Sequence, residues 1–285
     1  MPNIVEVKSV NKRFGRGPVV LNDINLAIEE GEMVALIGAS GSGKSTLIRT
    51  ICGLETADTG VGRISLFGQV TQSGGKRLPA QRQLRSQVGV IFQQFNLVTR
   101  LSLLTNVLVG RLGRIPKWRG LLGLFPRSDR ITALKALERV GMADKARQRA
   151  STLSGGQQQR GAIARALTQE ARLILADEPI ASLDPASAER VMETLGTINK
   201  EDGVTVIVSL HQIDHAFKHC DRIIALKDGA VAYDGTTEGI SPENIANLYG
   251  VEGLDLVKDA RPKDGDGASA EGHAPSYLKP VAVAS

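Results

Sequence analysis

The chain has no apolar run approaching the ~18 to 20 residues that a bilayer-crossing helix needs, and its start, MPNIVEVKSV, has neither the basic region nor the apolar core of a signal peptide. An intracellular protein that does not itself span a membrane is the expectation. Cysteine is nearly missing. Cys52 and Cys220 cannot build a disulfide framework, and neither sits in the CxxC spacing of a zinc or redox site, so both read as buried thiols. A strong charge imbalance is absent too: Lys plus Arg number 35 against 30 Asp plus Glu, and a net +5 over 285 residues does not single out a nucleic-acid partner. Polyphosphate ligands or an anionic membrane surface account for it equally well. No internal repeat is visible, so one copy of one unit is expected. What is present, 42% hydrophobic and 23% charged residues, suits an ordinary globular domain with a sizeable core.

Hydrophobic periodicity switches between short β-rich runs and helical patterns, the signature of an α/β domain with a mainly parallel core sheet. Glu32 to Gly38, Val88 to Phe92, Arg172 to Asp177 and Val204 to Leu210 are apolar on both faces, as strands covered by helices on both sides are. IVEVKSV near the start and Ile24 to Ile28 alternate instead, which predicts an N-terminal antiparallel β layer. Between Gln93 and Leu153 strand signals stop, and residues 94–153 are expected to form an inserted helical subdomain. Within it Ile131, Leu134, Leu137 and Val140 are expected on one helical face. Residues 1–250 then form one domain. Residues 251–285 form a C-terminal extension, expected to be disordered from about 258 because its Gly, Ala, Asp and Pro offer little apolar surface to bury.

The most informative stretch is Gly38-Ala39-Ser40-Gly41-Ser42-Gly43-Lys44-Ser45-Thr46, which fits GxxxxGK[ST] and sits between an apolar strand and the helical run Thr46 to Cys52. Glycine backbone N–H groups can curl around phosphate oxygens, the following helix aims its positive end at them, and Lys44 reaches the terminal phosphates. Ser45 would ligate Mg²⁺. A Gly/Ser-rich turn with an incidental lysine is the plainer alternative, and the flanking strand and helix argue against it. Leu173 to Glu178 then delivers two carboxylates at a strand's C-terminal edge, where ligands of open α/β sheets bind. Asp177 is placed to hold the Mg²⁺ shell, and Glu178 to face a water in line with the γ-phosphate as general base or orienting group.

Leu153-Ser154-Gly155-Gly156-Gln157, followed by helical QQRGAIARAL, offers a second anion-binding helix start. One ATP does not need two such loops from one subunit, so the economical reading is a head-to-tail homodimer in which each subunit lends this loop to its neighbour's nucleotide. On these motifs the sequence resembles the ATP-binding subunit of ABC transporters, over roughly Ile4 to Tyr249. The resemblance implies an ABC ATPase cassette: a P-loop NTPase core with a mainly parallel sheet, the antiparallel layer and the helical insertion. It implies that Phe14 stacks on adenine with Val19 as a second apolar wall, a core Phe being the alternative. It further implies that Gln93, with Gln94 as its neighbouring alternative, is the Q-loop glutamine that touches Mg²⁺ or the lytic water and reports to membrane subunits. Ala181, Ser182, Leu183 and Asp184 then correspond to the D-loop, and His211 to the histidine that contacts the γ-phosphate. With ATP and Mg²⁺ as cofactors, the subunit is expected to be hydrolytically competent.

His211, His215 and His219 are spaced four apart with Cys220 following, which on one continuous helix suggests a metal stripe. His211 ends a strand, however, so His215 and His219 are expected to be ordinary surface histidines. A single cassette without a membrane span resembles the separate ATPases of bacterial importers. The wording FQQFNLVTRLSLLTNVLVGRLGRIPKW and SLHQID resembles that of phosphonate importer ATPases. That family implies two ATPases, two membrane permeases, a solute-binding protein, and a peripheral place on the cytoplasmic face of the inner membrane. Import of another small solute, or a soluble ABC ATPase acting on nucleic acid or the ribosome, are the alternatives. A nucleotide kinase or GTPase would leave LSGGQ unexplained. Arg111 to Arg130, with Trp118, the run LLGLF and no acid before Asp129, reads either as a basic amphipathic interfacial surface or as part of the helical subdomain's packing.

Overall fold

A computed structural model describes residues 2–79 and 84–249, and the expected C-terminal extension lies outside these. Two sheets make the frame. β1 (Asn3–Arg13), β2 (Val19–Glu29), β4 (Arg63–Leu66), β5 (Gln69–Ser73) and β6 (Lys76–Arg77) form an antiparallel sheet in the order β2-β1-β4-β5-β6. β3 (Met33–Ile37), β7 (Val88–Ile91), β8 (Leu173–Asp177), β9 (Thr205–Ser209), β10 (Arg222–Lys227) and β11 (Ala230–Thr236) form the second, ordered β11-β10-β3-β9-β8-β7. Its pairs are parallel except the β10–β11 hairpin.

Every residue of β3, β8 and β9 is buried. Because side chains alternate along a strand, these three supply two cores at once. Met33, Ala35, Ile37, Ile174, Ala176, Val206 and Val208 face one. Val34, Leu36, Leu173, Leu175 and Ile207 face the other, which is completed by the antiparallel sheet and by α1 (Lys44–Ile51). The first core continues into α2 (Leu103–Leu108), α4 (Arg127–Arg139), α5 (Gly155–Thr168), α6 (Pro185–Asp202) and α7 (Ile213–His219). α3 (Lys117–Leu121) buries none of its residues, and α8 (Pro242–Tyr249) ends the described chain. Among the described helices none is long and apolar enough to cross a membrane. Both cysteines are buried and free, and burial pushes the Cys220 thiol up to about 12.

Sequence periodicity misses β4, β5, β6, β10 and β11, although the last pair carries a signal. Asp228-Gly229 follows the apolar run Ile223–Leu226, and φ is positive at both (48° and 79°), the Asp-Gly turn that a two-residue hairpin needs. A side chain at Gly229 would also meet the carbonyl of Val20.

The face assigned to α4 is corrected. Ile131 and Leu134 are 45% and 42% exposed, whereas Asp129, Ala133, Ala136, Leu137 and Val140 are buried. A repeat of three loses about 60° per step on a helix of 3.6 residues per turn, so residues 131 and 140 end on opposite sides. The buried set follows the i, i+4, i+7, i+8 rule instead. Leu137→Ala should therefore cost about 2–5 kcal/mol of stability through lost burial and a residual cavity, while Ile131→Ala should stay within about 0.5 kcal/mol. Urea denaturation of the two variants checks the order.

Candidate functional site

All five parallel strands end at one edge of the sheet, and the chemistry-bearing residues leave from there. β3 runs into the Gly-rich loop, which bends through positive φ at Gly38 (144°), Gly41 (82°) and Gly43 (104°) before α1 starts. At Gly43 a Cβ would lie 2.7 Å from the carbonyl oxygen of Val20 and 3.0 Å from Leu21 Cδ2, so only glycine fits. The Lys44 side chain is buried and its ammonium donates to the carbonyls of Gly38 (2.7 Å) and Ala39 (3.1 Å). Burial pushes its pKa down, with Glu178 and Asp177 pulling against that.

β8 ends in Asp177, whose Oδ1 accepts the Ser45 hydroxyl at 2.7 Å and the Ser209 hydroxyl at 3.2 Å. Glu178 follows with φ of 50°, rare for a residue with a Cβ. Its N–H donates to Ser209 Oγ at 2.8 Å, and its Oε1 lies 2.6 Å from His211 Nε2. The backbone here thus sits in a sparsely populated region held by neighbours, as functional turns do. A cavity of about 300 Å³ lies over this edge, lined by Phe14, Val20, Gly41, Gly43, Lys44, Ser45, Thr46 and Glu178. Its donors are a phosphate-type set: an ammonium, hydroxyls and loop N–H groups at a helix start, with two carboxylates beside them. Ser45 Oγ and Asp177 Oδ1 are hard oxygen ligands converging on one point, the kind Mg²⁺ takes.

The site brings together most of the residues expected from sequence. Phe14 is 48% exposed at the cavity rim with the Lys12 ammonium 4.8 Å from its ring centre. Val20 lines the cavity where Val19 was expected, because the β2 alternation turns Val19 outward. Ala39 and Ser40 are exposed on the loop, and Ser42 is buried beneath it. Gln93 and Gln94 are exposed in the turn after β7 and do not line the cavity. Leu153 is buried, and Ser154 caps α5 in a reciprocal box with Gln157. Gly155 and Gly156 abut Leu183 and Ser187, at 3.1 and 2.7 Å from an added Cβ. Ser182 is exposed, and Asp184 caps α6 by accepting the Ser187 N–H at 2.9 Å; the Ser187 hydroxyl and this N–H hold its carboxyl below the usual range. None of Leu153–Gln157 or Ser182–Asp184 lines the cavity.

Sequence reading missed Ser209 and Tyr249. Ser209 is a fully buried polar residue at the sheet edge that closes the apolar run Val206 to Val208, which was the available signal. The Tyr249 hydroxyl accepts the Gly38 N–H at 2.9 Å, so α8 holds the base of the loop, and burial pushes this phenol up to about 12. His211 precedes α7 as expected. His215 and His219 are not surface histidines: their side chains are 17% and 10% exposed against Glu189. Burial pushes the His219 pKa down, and the Lys218 ammonium holds Glu189 below the usual carboxylate range.

Residues 21–181 match the ABC transporter family. The chain is 57% identical over 249 residues to the phosphonates import ATP-binding protein PhnC of Stutzerimonas stutzeri, covering 87% of this chain and 90% of that one. The PhnC of Caulobacter vibrioides is 51% identical over 260 residues, covering 91% and 98%. Among solved structures, the dimeric post-hydrolysis state of the ATP-binding cassette MJ0796 bound to ADP and Pi superposes with a TM-score of 0.71 at 35% identity, covering 83% of this chain and 100% of that one.

The Tyr249 contact generates a direct expectation. Tyr249→Phe leaves the buried Gly38 N–H without its acceptor, so it should lower unfolding stability by about 1–3 kcal/mol. Urea denaturation checks it, and a stability equal to the unmodified chain would show that α8 does not hold the loop.

Proposed function

The chain belongs to the ABC transporter ATP-binding family, and from that premise we propose that it hydrolyses ATP to energise import of phosphonates, or of phosphate esters, through a membrane transporter. The observation that carries hydrolysis is the paired geometry at one edge: Ser45 on Asp177 at 2.7 Å and Glu178 on His211 at 2.6 Å beside a phosphate-type cavity. The solute assignment is supported by the similarity to proteins named phosphonates import ATP-binding protein. No residue of this chain is assigned to the solute, which other subunits would select.

In this reading Phe14 and Val20 flank the adenine, while Lys44 exchanges its loop carbonyls for the β and γ phosphates. Ser45 and Asp177 would hold Mg²⁺, which supplies charge neutralisation at those phosphates. Glu178 takes the proton of the attacking water, and His211, hydrogen-bonded to it, orients that carboxylate and contacts the γ-phosphate. Gln93 reaches the site only after the turn behind β7 moves, which suits a sensing role between nucleotide and permease. The Ser154–Gln157 helix start lies off this chain's own cavity, so it completes a second subunit's site in a head-to-tail homodimer. Residues 94–153 act as the helical subdomain that two permease subunits touch, on the cytoplasmic face of the membrane.

The segment 111–130 supports that attachment. Leu112, Trp118, Leu121, Leu122 and Leu124 are 43–88% exposed among Arg114, Lys117 and Arg119, a combination that favours an interfacial surface over internal packing. Glu178→Gln should lower steady-state ATPase activity by about 10²- to 10⁴-fold while ATP binding persists; activity within a few-fold of the unmodified chain would reject the base. Leu121→Glu with Leu122→Glu should remove most co-sedimentation with permease-containing membranes and leave nucleotide binding unchanged. Undiminished co-sedimentation would count against the attachment surface.

A further inference from the structure

Away from the nucleotide cavity, α6 and α7 face each other through Glu189 on one side and His215 and His219 on the other. The two histidines are four apart, so they project from the same side of α7, and their rings stack with centroids 5.9 Å apart. His219 Nε2 is 3.1 Å from Glu189 Oε1, and His215 Nδ1 is 3.7 Å from Oε2. All three ligand atoms lie within 4.8 Å of one another. The His219 side chain is nine-tenths buried, and its Nε2 has no hydrogen-bond partner despite the carboxylate in front of it. A buried ring nitrogen left unpaired is costly and points to something else that both groups can bind.

We propose that Glu189, His215 and His219 form a binding site for a first-row transition-metal dication, with zinc the best match. Tetrahedral zinc with bonds of roughly 2.0 to 2.2 Å to nitrogen and oxygen sets its ligands about 3.4 Å apart, and each histidine nitrogen lies near that distance from one oxygen of Glu189, Oε1 for His219 and Oε2 for His215. Two imidazoles and one carboxylate are a borderline donor set, too soft for Mg²⁺ or Ca²⁺, and leave one position for water. The ammonium of Lys218, 2.7 Å from Glu189 Oε1, occupies the carboxylate in the metal-free chain. That side chain is 62% exposed and swings to solvent when a dication replaces it. The bound metal staples α6 to α7. Glu189 follows the Asp184 cap by little more than one helical turn, and His215 follows His211 by four residues, so the staple ties together the two segments that leave the nucleotide edge.

The test is zinc chloride titrated by calorimetry into the full chain without nucleotide, with melting temperature recorded in parallel. One zinc per chain and a rise in melting temperature are expected. His219→Ala and Glu189→Gln should each weaken the affinity by about tenfold or more, with folding checked by circular dichroism. Lys218→Met removes the competing cation without touching a ligand, so it should tighten zinc binding and protects the test from a misfolded ligand variant. No zinc uptake by the unmodified chain would overturn the proposal. So would uptake that all three variants leave unchanged, which would put the metal elsewhere, for example at Asp177.

Discussion

Everything at the nucleotide edge depends on β9 being buried on both faces between β3 and β8. Parallel strands lie about 4.8 Å apart, so the loop after β3 and the acid ending β8 stand nearly 10 Å from one another across the sheet, about as far as two side chains can bridge. Ser209, the last residue of the middle strand, fills that gap. It pairs in register with Asp177 and Leu36, gives its hydroxyl to Asp177, and accepts the Glu178 N–H. The neighbouring strands β3 and β8 are buried at every residue and exclude water from this bridge, which lets one buried hydroxyl hold the Asp177 carboxylate and the Glu178 backbone together.

From that bridge two hydrogen-bonded lines spread outward. One runs from Ser45 through Asp177 and Ser209 to Glu178 and His211, joining α1, β8, β9 and the start of α7. The other runs from Lys44 to the Gly38 carbonyl and from the Gly38 N–H to Tyr249, joining the loop to α8. Lys44 is desolvated and held by neutral carbonyls, an arrangement that a polyphosphate can displace because a charged acceptor bonds an ammonium more strongly than a carbonyl does. The loop is therefore rigid in backbone but exchangeable at its cation.

The sequence made the core strands and the nucleotide loop legible because both signals are local. An all-apolar run such as Leu173 to Ala176 can only be covered on both faces, and a Gly-rich turn between strand and helix has few other uses. What escaped depends on long-range placement. Val19 and Val20 are equally apolar in sequence, and only the β1–β2 register, with its shifts near Lys12 and Arg13, decides which faces the cavity. His215 and His219 read as surface residues because their partner, Glu189, comes from a helix that sequence spacing alone does not place opposite them. Tyr249 escaped for the same reason, since its acceptor role spans 211 positions.

The second loop packs closely against the start of α6 and lies off the cavity of its own chain. Gly155 and Gly156 have no side chains, and Leu183 and Ser187 occupy the space where Cβ atoms would stand. Any larger residue would push α5 away from α6, so the glycines set the distance between two helix starts as well as exposing N–H groups. Ser154 and Asp184 cap those neighbouring helices, and both remain exposed. The α5 end, capped by a neutral hydroxyl, keeps a local field that favours an anion, whereas the Asp184 carboxylate already offsets that of α6, and the cavity lined by Lys44 and Ser45 includes neither. In the homodimer we propose, the anion at the α5 end comes with another copy's cavity, and the close packing of α5 on the start of α6 carries its arrival along α6 towards Glu189.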